Sequence, residues 1–411
     1  MSEEYTEQKH LQLLESGNKA NIELAFQLQK GLSSELIAKK INAYQVLAPL
    51  FNRINTITNT EYLIDVIANI GPLASIKEVD LKYSYFDKEM LPDEFIELKN
   101  LEVFNGYRRY RRESKLSALP ENIGELSKLR ELNVAYCALQ QLPTSLGKLK
   151  GLKRLNLFAN KLSKFPKVIL ELENLEYLDL RSNPIQQIPP EITQLKHLKQ
   201  VILGRTQLKA FPKGIESLPN LTLLDLSNND ITSIPTQLVE NKGLKHLNLD
   251  NTKVSILPEK LRDLQGLTFL GLGNCPLQKF PDYVFDFQTL EVLHLNNLGI
   301  EVIPAKIGLM TQLQDLDIGH NQITILPPEI GNLQKLRDLT ISQNPIESLP
   351  KEMGKLERLT FLYAYNTKIK ELPKEMDDLY YIASISIPDG VKISEKLTQT
   401  MDDNIGDYAF S

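Results

Sequence analysis

The sequence predicts an α/β solenoid, a stack of short and closely similar units that share a parallel β-sheet, preceded by a small all-helical N-terminal segment. Two observations predict this fold. Proline recurs at intervals of 23 residues from Pro120 to Pro373, and an apolar residue keeps the same interval from Leu129 to Ile382. A fixed period of this length is typical of repeat architectures, so the 23-residue unit sets the position of each element below.

The first half of each unit predicts a β-strand. A unit reads L-x-x-L-x-L-x-x-N-x-L-x-x-L-P-x-x-I-x-x-L, where x stands for any residue. The L-x-L step has the period of a strand, so Leu178 and Leu180 are expected to point into the core. Tyr177, Asp179 and Arg181 alternate with them and are expected to point outward. The outward residues of successive units therefore form one face.

The second half of each unit covers the other side of the core. Proline fixes φ and opens a short turn or helical piece, where an i, i+3 pair such as Ile192 and Leu195 points inward. The ninth position needs a small polar side chain to satisfy backbone groups beneath a turn. That position holds Asn160, Asn183, Asn229, Asn321, Asn344, the weaker substitutes Thr206, Thr252 and Thr367, and the thiols Cys137 and Cys275. Because no unit buries its apolar face alone, the units are expected to stack.

These units resemble the repeats of leucine-rich repeat proteins, in the 23-residue class that reads L-x-x-L-P-x-x-I-G-x-L. The glycine of that pattern is present as Gly124, Gly147, Gly308, Gly331 and Gly354. Similar repeats occur in bacterial repeat proteins, in Scribble-like and Ras-suppressor-like scaffolds and in Roco GTPases. The resemblance extends from about Ile76 to Ile387. It implies a horseshoe with a concave parallel β-sheet, and that side commonly binds protein.

The segments that flank the repeats have a different pattern. Residues 1–72 carry apolar residues at helical spacing between Ile22 and Ile70 and predict a helical N-terminal cap or adaptor. The cap is favoured because the first strand of a solenoid has an exposed edge. The leucine-rich repeat array is expected to span 73–388. Residues 389–411 predict a C-terminal capping helix, over 391–401, and a short acidic tail.

Composition and charge exclude several classes of protein. The chain has 411 residues, of which 42% are apolar and 24% charged, as in a folded globular protein. With 47 Lys and Arg against 52 Asp and Glu, the formal net charge is −5, which argues against a broad basic surface for nucleic acid. The N-terminus lacks an apolar signal stretch and no apolar run is long enough to cross a bilayer. We therefore expect a cytoplasmic protein without a membrane partner.

One basic stretch stands out in this acidic chain. Residues 106–113 interleave Tyr107 and Tyr110 with four arginines. Such residues stack on bases or pair with phosphates, and they suit an acidic protein surface equally well. A solvated or protein-contact loop is favoured over a nucleic-acid site because the overall charge is negative.

A search for catalytic motifs is negative. The sequence has no G-x-x-x-x-G-K-[ST], no His-Glu-x-x-His and no nucleophile elbow. The stretch 271–273 reads Gly-Leu-Gly, but the repeat explains Leu272 as core and both glycines as outward strand positions. Two cysteines are too few for a disulfide framework or a cysteine-built metal site. We therefore predict a chain that is not an enzyme and has no cofactor or metal.

Charge is unevenly distributed over the outward face, which consists of the third, fifth and seventh positions of each unit. Arg154 and Arg181 fall on this face in the first repeats. Five aspartates follow with no Lys or Arg at these positions, namely Asp225, Asp250, Asp315, Asp317 and Asp338. The face is expected to run from mixed-basic near its start to acidic in its second half.

Aromatic residues form one candidate binding cluster on this face. Phe361, Tyr363 and Tyr365 lie on one strand, and Phe269 lies at an outward position of an earlier repeat. Large aromatic side chains are typical anchors of protein interfaces. Coverage of this cluster by the C-terminal helix is an alternative of equal weight.

The second candidate cluster is acidic. Asp315 and Asp338 are expected to share a column on neighbouring strands about 4.8 Å apart. Asp317 is expected to lie beside His294. Like charges at this spacing repel one another and favour a basic partner segment. Solvated carboxylates beside a single histidine are preferred over a divalent metal site.

Together these features predict a non-enzymatic scaffold or recognition module that binds a protein, one with a basic segment, across the outward face. Two alternatives stay open. One is a subunit that recognises substrates for a separate enzyme, and the other is a structural protein that self-associates. A monomer or weak homodimer is expected.

Overall fold

A computed structural model describes residues 3–29, 34–51, 60–81, 88–107 and 116–408. These residues belong to two compact units, Met1–Gln200 (the first unit) and Val201–Ser411 (the second unit). Each unit contains repeats in which a short parallel strand is followed by a 3₁₀ turn. The predicted α/β leucine-rich repeat solenoid with a helical N-terminal segment is confirmed. The predicted boundaries at 72/73 and 388/389 stay predictions.

Four helices begin the first unit: α1 (Glu3–Leu14), α2 (Lys19–Gln29), α3 (Glu35–Phe51) and α4 (Thr60–Ile70). Helix α3 contacts the 3₁₀ turn Asp93–Glu97 and the first strand, β1 (Glu78–Asp80). The role of the helices as a cap or an adaptor stays a prediction. The Tyr44 hydroxyl donates to the Gly71 carbonyl at 2.9 Å and ties α3 to the end of α4. Helix α1 lies within the predicted helical segment 1–72, ahead of the apolar residues at helical spacing that begin at Ile22.

The strands are three residues long and pair in chain order with parallel register. In the first unit they are β1, β2 (Val103–Asn105), β3 (Glu131–Asn133), β4 (Arg154–Asn156) and β5 (Tyr177–Asp179). Strand β6 (Gln200–Ile202) begins at the last residue of this unit. In the second unit the pairing runs through β7 (Leu223–Asp225), β8 (His246–Asn248), β9 (Phe269–Gly271), β10 (Val292–His294), β11 (Asp315–Asp317), β12 (Asp338–Thr340), β13 (Phe361–Tyr363) and β14 (Ser384–Ser386).

The repeats bury their apolar residues as the pattern predicts. Leu178 and Leu180 on the strand side are 1% and 0% exposed. Ile192 and Leu195, in and just after the following 3₁₀ turn, are fully buried as well. Proline 189 precedes that turn with φ near −71°, and most other turns of the array begin after a proline in the same way. The core therefore lies between the strands and the 3₁₀ turns of each unit.

The ninth position of the repeat satisfies backbone groups inside the core, as predicted. The Asn183 amide donates to the Leu157 and Leu180 carbonyls at 2.8 and 3.0 Å. Its Oδ1 accepts the N–H of Leu162 at 3.1 Å. Each such asparagine joins its own repeat to the preceding one. Cys137 and Cys275 lie buried at the same position.

The eighth position has a conformation that the sequence analysis did not anticipate. In eleven successive repeats this residue is not glycine and yet has a left-handed backbone, with φ between 53° and 60°. The residues are Tyr136, Ala159, Ser182, Arg205, Asn228, Asn251, Asn274, Asn297, His320, Gln343 and Asn366. Asparagine tolerates this region best among non-glycine residues, and its recurrence was the available signal. The left-handed residue turns the chain from the outward face into the core at position nine.

The C-terminal helix α5 spans Glu395–Tyr408, so it begins later and ends later than the predicted 391–401. It contacts the 3₁₀ turn Lys374–Asp378. The Ser394 hydroxyl accepts the N–H of Leu397 at 3.1 Å and caps the helix, which explains the later start. Among the described helices, none is long and apolar enough to cross a membrane.

Candidate functional site

The outward positions of the strands form the candidate site, and we call this surface the strand face. Position three is the first residue of each strand, position five the last, and position seven lies two residues beyond. The residue between positions three and five is buried, so the flanking side chains emerge on one side. In the second unit, register alignment places His246, Phe269, Val292, Asp315, Asp338 and Phe361 in one column. The adjacent column holds Asn248, Gly271, His294, Asp317, Thr340 and Tyr363.

Position five has a structural task that the sequence analysis missed. Its Asn or Asp side chain accepts the backbone N–H of position seven, which is a recurrent local turn. Asp225 Oδ1 accepts the N–H of Ser227 and Asp317 Oδ1 accepts that of Gly319, both at 2.9 Å. Both aspartates are predicted site residues. Each therefore uses one carboxylate oxygen to hold its own strand end.

His294 pairs with Asp250, two strands away, and not with a side chain on the neighbouring strand. The distance from His294 Nδ1 to Asp250 Oδ2 is 2.9 Å. Glycine on the intervening strand β9 makes this contact possible, because a Cβ at Gly271 would lie 2.8 Å from both carboxylate oxygens of Asp250. The other oxygen, Asp250 Oδ1, accepts the N–H of Gly273 at 2.7 Å. Both oxygens of Asp250 are therefore engaged within the chain.

Phe269 lies between two histidine rings. Its ring stacks on His246 with centroids 3.9 Å apart and meets His294 edge-on at 5.2 Å. Phe269 is half-buried as a result. His246, which was not among the predicted site residues, belongs to this group. Burial is the largest influence on its pKa and lowers it.

The acidic patch consists of Asp315, Asp317 and Asp338. Asp315 and Asp338 are direct neighbours in the register of β11 and β12, as predicted. Burial raises the pKa of all three carboxyl groups, and the charge of Asp338 raises that of Asp315 further, against the opposing effect of His294. Among the residues that the structure describes, Asp315 forms neither an ion pair nor a hydrogen bond through its side chain. The ionised patch is therefore incompletely compensated within the chain.

The patch also acts on His294. Burial is the largest single influence and lowers the pKa of this histidine. The hydrogen bond that His294 donates to Asp250 and the charges of Asp250, Asp315 and Asp317 act in the opposite direction and together outweigh burial, so the pKa of His294 lies above its usual value of 6.5. The predicted proximity of His294 and Asp317 is confirmed by their register.

The aromatic strip consists of Phe361, Tyr363 and Tyr365. The rings of Phe361 and Tyr363 are nearly parallel, with centroids 6.4 Å apart. Tyr363 and Tyr365 are 36% and 43% exposed with α5 in place. The described part of α5 lies against the 3₁₀ turn Lys374–Asp378, and Asn404 donates to the carbonyls of Tyr380 and Ile382. The described part of the helix thus leaves both tyrosines exposed, and coverage of the whole cluster by the C-terminal helix stays a prediction.

In the first unit, the charged side chains of the strand face pair with one another. Asp179 was expected to point into water, but its side chain is fully buried. Arg181 covers it, with NH2 2.6 Å from Oδ2, and the Tyr177 hydroxyl lies 3.3 Å from the same oxygen. Arg154 lies 4.1 Å from the centre of the Tyr177 ring. The predicted mixed-basic region thus consists of arginines that already contact chain groups, and burial followed by the Asp179 charge raises the pKa of Tyr177 to about 12.

A row of rings accompanies these arginines. Tyr107, Tyr136 and Phe158 follow one another with centroids 5.4 and 4.8 Å apart, and Arg181 lies 5.0 Å from the Phe158 ring. Tyr136 occupies the left-handed position eight and was not a predicted site residue. The rest of the predicted Tyr107–Arg112 loop lies outside the described residues. No group of three or more His, Cys, Asp or Glu residues fit to hold a metal ion occurs within the described ranges.

The chain matches the leucine-rich repeat family model over residues 127–185, 173–231, 219–277, 288–346 and 311–369. No curated protein matches it. A solved leucine-rich repeat protein of Leptospira interrogans is 29% identical, with a TM-score of 0.63, and the match covers 81% of this chain and 95% of that one.

Two further structures illustrate the range of similar folds. The ectodomain of the plant receptor kinase GASSHO1/SCHENGEN3 from Arabidopsis thaliana, solved with CASPARIAN STRIP INTEGRITY FACTOR 2, is 27% identical with a TM-score of 0.58. That match covers 76% of this chain and 41% of the receptor chain. The functional domain of InlJ from Listeria monocytogenes is 18% identical with a TM-score of 0.62, covers 86% and 72% of the two chains, and shows similarity of fold alone.

Proposed function

The chain belongs to the leucine-rich repeat family, and on this premise we propose that it is a protein-recognition module whose partner binds the strand face of the second unit. The observation that carries the proposal is the pair of exposed tyrosines, Tyr363 and Tyr365, beside the acidic patch. Stacked repeats present a preformed surface, so little freedom is lost on binding.

The aromatic strip supplies the apolar contact in this proposal. Tyrosine offers a large flat surface and a polar hydroxyl at low cost in side-chain entropy, which suits an interface anchor. Phe269 adds apolar surface from the same column as Phe361, although the two histidines cover part of it.

The acidic patch supplies the charge. A basic segment of the partner would relieve the repulsion between Asp315 and Asp338 and would lower the raised pKa values of the patch. Asp225 contributes its second oxygen at the start of the second unit. Asp250 and His294 act as positioning groups because their contact holds the centre of the face in one arrangement.

The comparisons support the class of partner. The Arabidopsis ectodomain was solved in complex with CASPARIAN STRIP INTEGRITY FACTOR 2. We extend from these relatives only the class of function, protein recognition by a stack of leucine-rich repeats.

A capture experiment with matched variants tests the proposal. The test variant combines Phe361→Ala, Tyr363→Ala and Tyr365→Ala. The control combines Ile256→Ala, Val302→Ala and Ile325→Ala, which also removes exposed apolar surface, since these residues are 63%, 70% and 64% exposed away from the strand face. Both proteins are first compared with the wild type by circular dichroism.

The proposal predicts that wild type and control retain the same partner from native lysate, and that the test variant loses at least tenfold in affinity. Two or three interface aromatics account for such a loss, since each anchor contributes about 1–2 kcal/mol or more. Equal retention by the folded test variant would remove the aromatic strip from the binding surface.

A further inference from the structure

A cavity of about 500 Å³ lies beside the strand face of the second unit, where β12 and β13 begin. Its lining consists of Arg337, Asp338, Arg358, Thr360, Phe361 and Tyr381. A volume of this size is in the range of small-ligand sites. The cavity adjoins the strand face, because Asp338 and Phe361 of that face belong to its lining.

The repeat explains why a hollow occurs at this place. Position two, directly before each strand, is a long side chain in most repeats, for example Lys153, Glu176, Lys199 and Lys245. In the last two repeats this position is Thr360 and then Ala383. These short side chains leave space between Arg337 on one side and Tyr381 on the other.

The charges around the cavity are unusual for this chain. At position two of the first unit, Glu176 binds Lys153 at 3.2 Å and Lys199 at 2.7 Å, so positive and negative groups compensate one another. Arg337 and Arg358 are both exposed. Within the described ranges, neither guanidinium forms a hydrogen bond or an ion pair. Asp338 is the one carboxylate of the lining, so two positive charges face one negative charge.

We propose that this cavity binds a phosphate monoester, with the phosphate held by Arg337 and Arg358 and an apolar stem held against Phe361 and Tyr381. Guanidinium groups bind phosphate oxygens through paired N–H donors, and two of them match the double negative charge of the group. The hydroxyl of Tyr381 supplies a further donor, whereas that of Thr360 already donates to the Arg358 carbonyl at 3.2 Å. The aromatic rings provide the surface that an organic stem requires.

The size and charge of the cavity favour one phosphate over other anions. A dianion gains more than a carboxylate from two positive charges, because the interaction scales with the product of the charges. Asp338 opposes a second anionic group in the same space. A phosphate monoester on an aromatic stem fits both conditions, whereas a diphosphate or a dicarboxylate would approach Asp338.

Calorimetric titration with phenyl phosphate tests the proposal, with inorganic phosphate and phenol as comparison probes. The test variant combines Arg337→Gln and Arg358→Gln. The control is Arg262→Gln, which removes one exposed arginine of the same unit that already contacts Asp286 and Tyr283. Lys335→Gln together with Arg262→Gln matches the loss of two charges, since Lys335 contacts only Gln312 among the described side chains.

The proposal predicts saturable binding of phenyl phosphate, weaker binding of inorganic phosphate and none of phenol. The double arginine variant should lose at least tenfold in affinity, and the controls should stay within twofold. Equal affinity in the double arginine variant, or binding of phenol as tight as that of phenyl phosphate, would overturn the proposal.

The source of the phosphate is distinguished by a second titration with a peptide that carries one phosphotyrosine. Tighter binding of the peptide than of phenyl phosphate assigns the group to a phosphorylated protein, and equal or weaker binding assigns it to a small molecule. Phe361 and Asp338 belong to both proposed sites, but the test variant changes only Arg337 and Arg358, which have no role in the proposed protein-binding face. Failure of this proposal and failure of the proposed function are therefore separate results.

Discussion

The strand faces of the two units carry the same repeat but compensate their charges in opposite ways. In the first unit, Arg181 lies 2.6 Å from Asp179, whose side chain is fully buried. In the second unit, Asp315 and Asp338 are neighbours in register, and burial raises the pKa of both. The first face is neutralised inside the chain, whereas the second retains charge that an external group can compensate.

This difference shows that residue type at an outward position does not by itself define a binding site. Asp179 and Asp317 both occupy position five and both accept the N–H of position seven. What separates them is position seven itself, which is Arg181 in one repeat and Gly319 in the other. Because Arg181 pairs with Asp179, that aspartate has a structural role, whereas Asp317 has no such cation at position seven and stays a candidate binding group.

The largest predicted effect concerns the core, where the two units should not differ. Leu155→Ala and Leu247→Ala each remove a fully buried strand residue, one in each unit. Each should lower the free energy of unfolding by about 2–5 kcal/mol. Chemical denaturation of both variants checks this. If only one of the two variants lost stability, the difference between the two units would lie in their packing and not in their charges.

The next effect separates the two faces directly. Asp179→Asn should lower the free energy of unfolding by about 1–3 kcal/mol, because Arg181 loses its charged partner. Asp317→Asn keeps the acceptor for the Gly319 N–H and removes a charge that is disfavoured by burial. It should leave stability unchanged or raise it by about 0.5 kcal/mol at neutral pH.

Urea unfolding of both variants at pH 7 measures these changes. The account expects Asp179→Asn to lower the free energy of unfolding and Asp317→Asn to raise it or leave it unchanged. Equal destabilisation by both substitutions would mean that Asp317 is compensated as fully as Asp179.

A smaller effect depends on pH. The pKa of His294 is raised in the folded protein, so its contribution to stability is fully present below the unfolded value of about 6.5 and is lost as pH rises through the folded value. His294→Gln should therefore destabilise the protein more at pH 5.5 than at pH 8.5, by less than about 1 kcal/mol.

Thermal unfolding at the two pH values, compared with the wild type, provides the measurement. The control is His197→Gln, because His197 lies outside the strand face. Gly204→Ala would not serve as a control, since a Cβ at Gly204 would lie too close to Ser227. A destabilisation by His294→Gln that is the same at both pH values would indicate that the contact with Asp250 is not sensitive to protonation.

The repeat made much of the fold predictable. The period located the strands, the buried leucines and the asparagines at position nine, because each depends on residues within one unit. The late start of α5 was missed, since its prediction used apolar spacing and not the cap at Ser394. The contact between His294 and Asp250 spans two strands and depends on Gly271, which the motif search explained only as a strand position.

The site was less predictable than the fold. The sequence identified the aspartates and tyrosines of the second unit but gave Asp179 an outward position, because the periodicity of a strand carries no information on what covers a side chain. The left-handed Tyr136 and the ring of His246 were likewise overlooked. Their roles arise from contacts between repeats, which a pattern of single positions does not contain.

The salt dependence of association with the captured partner tests the central claim most directly. The test variant combines Asp315→Asn, Asp317→Asn and Asp338→Asn. The control changes three exposed aspartates elsewhere in the second unit to Asn, namely Asp263, Asp282 and Asp389. If the acidic patch steers a basic segment, the test variant associates several-fold more slowly at low salt and with a flatter salt dependence, while the control follows the wild type. Identical association rates and salt slopes for all three proteins would contradict the assignment of the second unit's strand face as the binding surface for a basic partner.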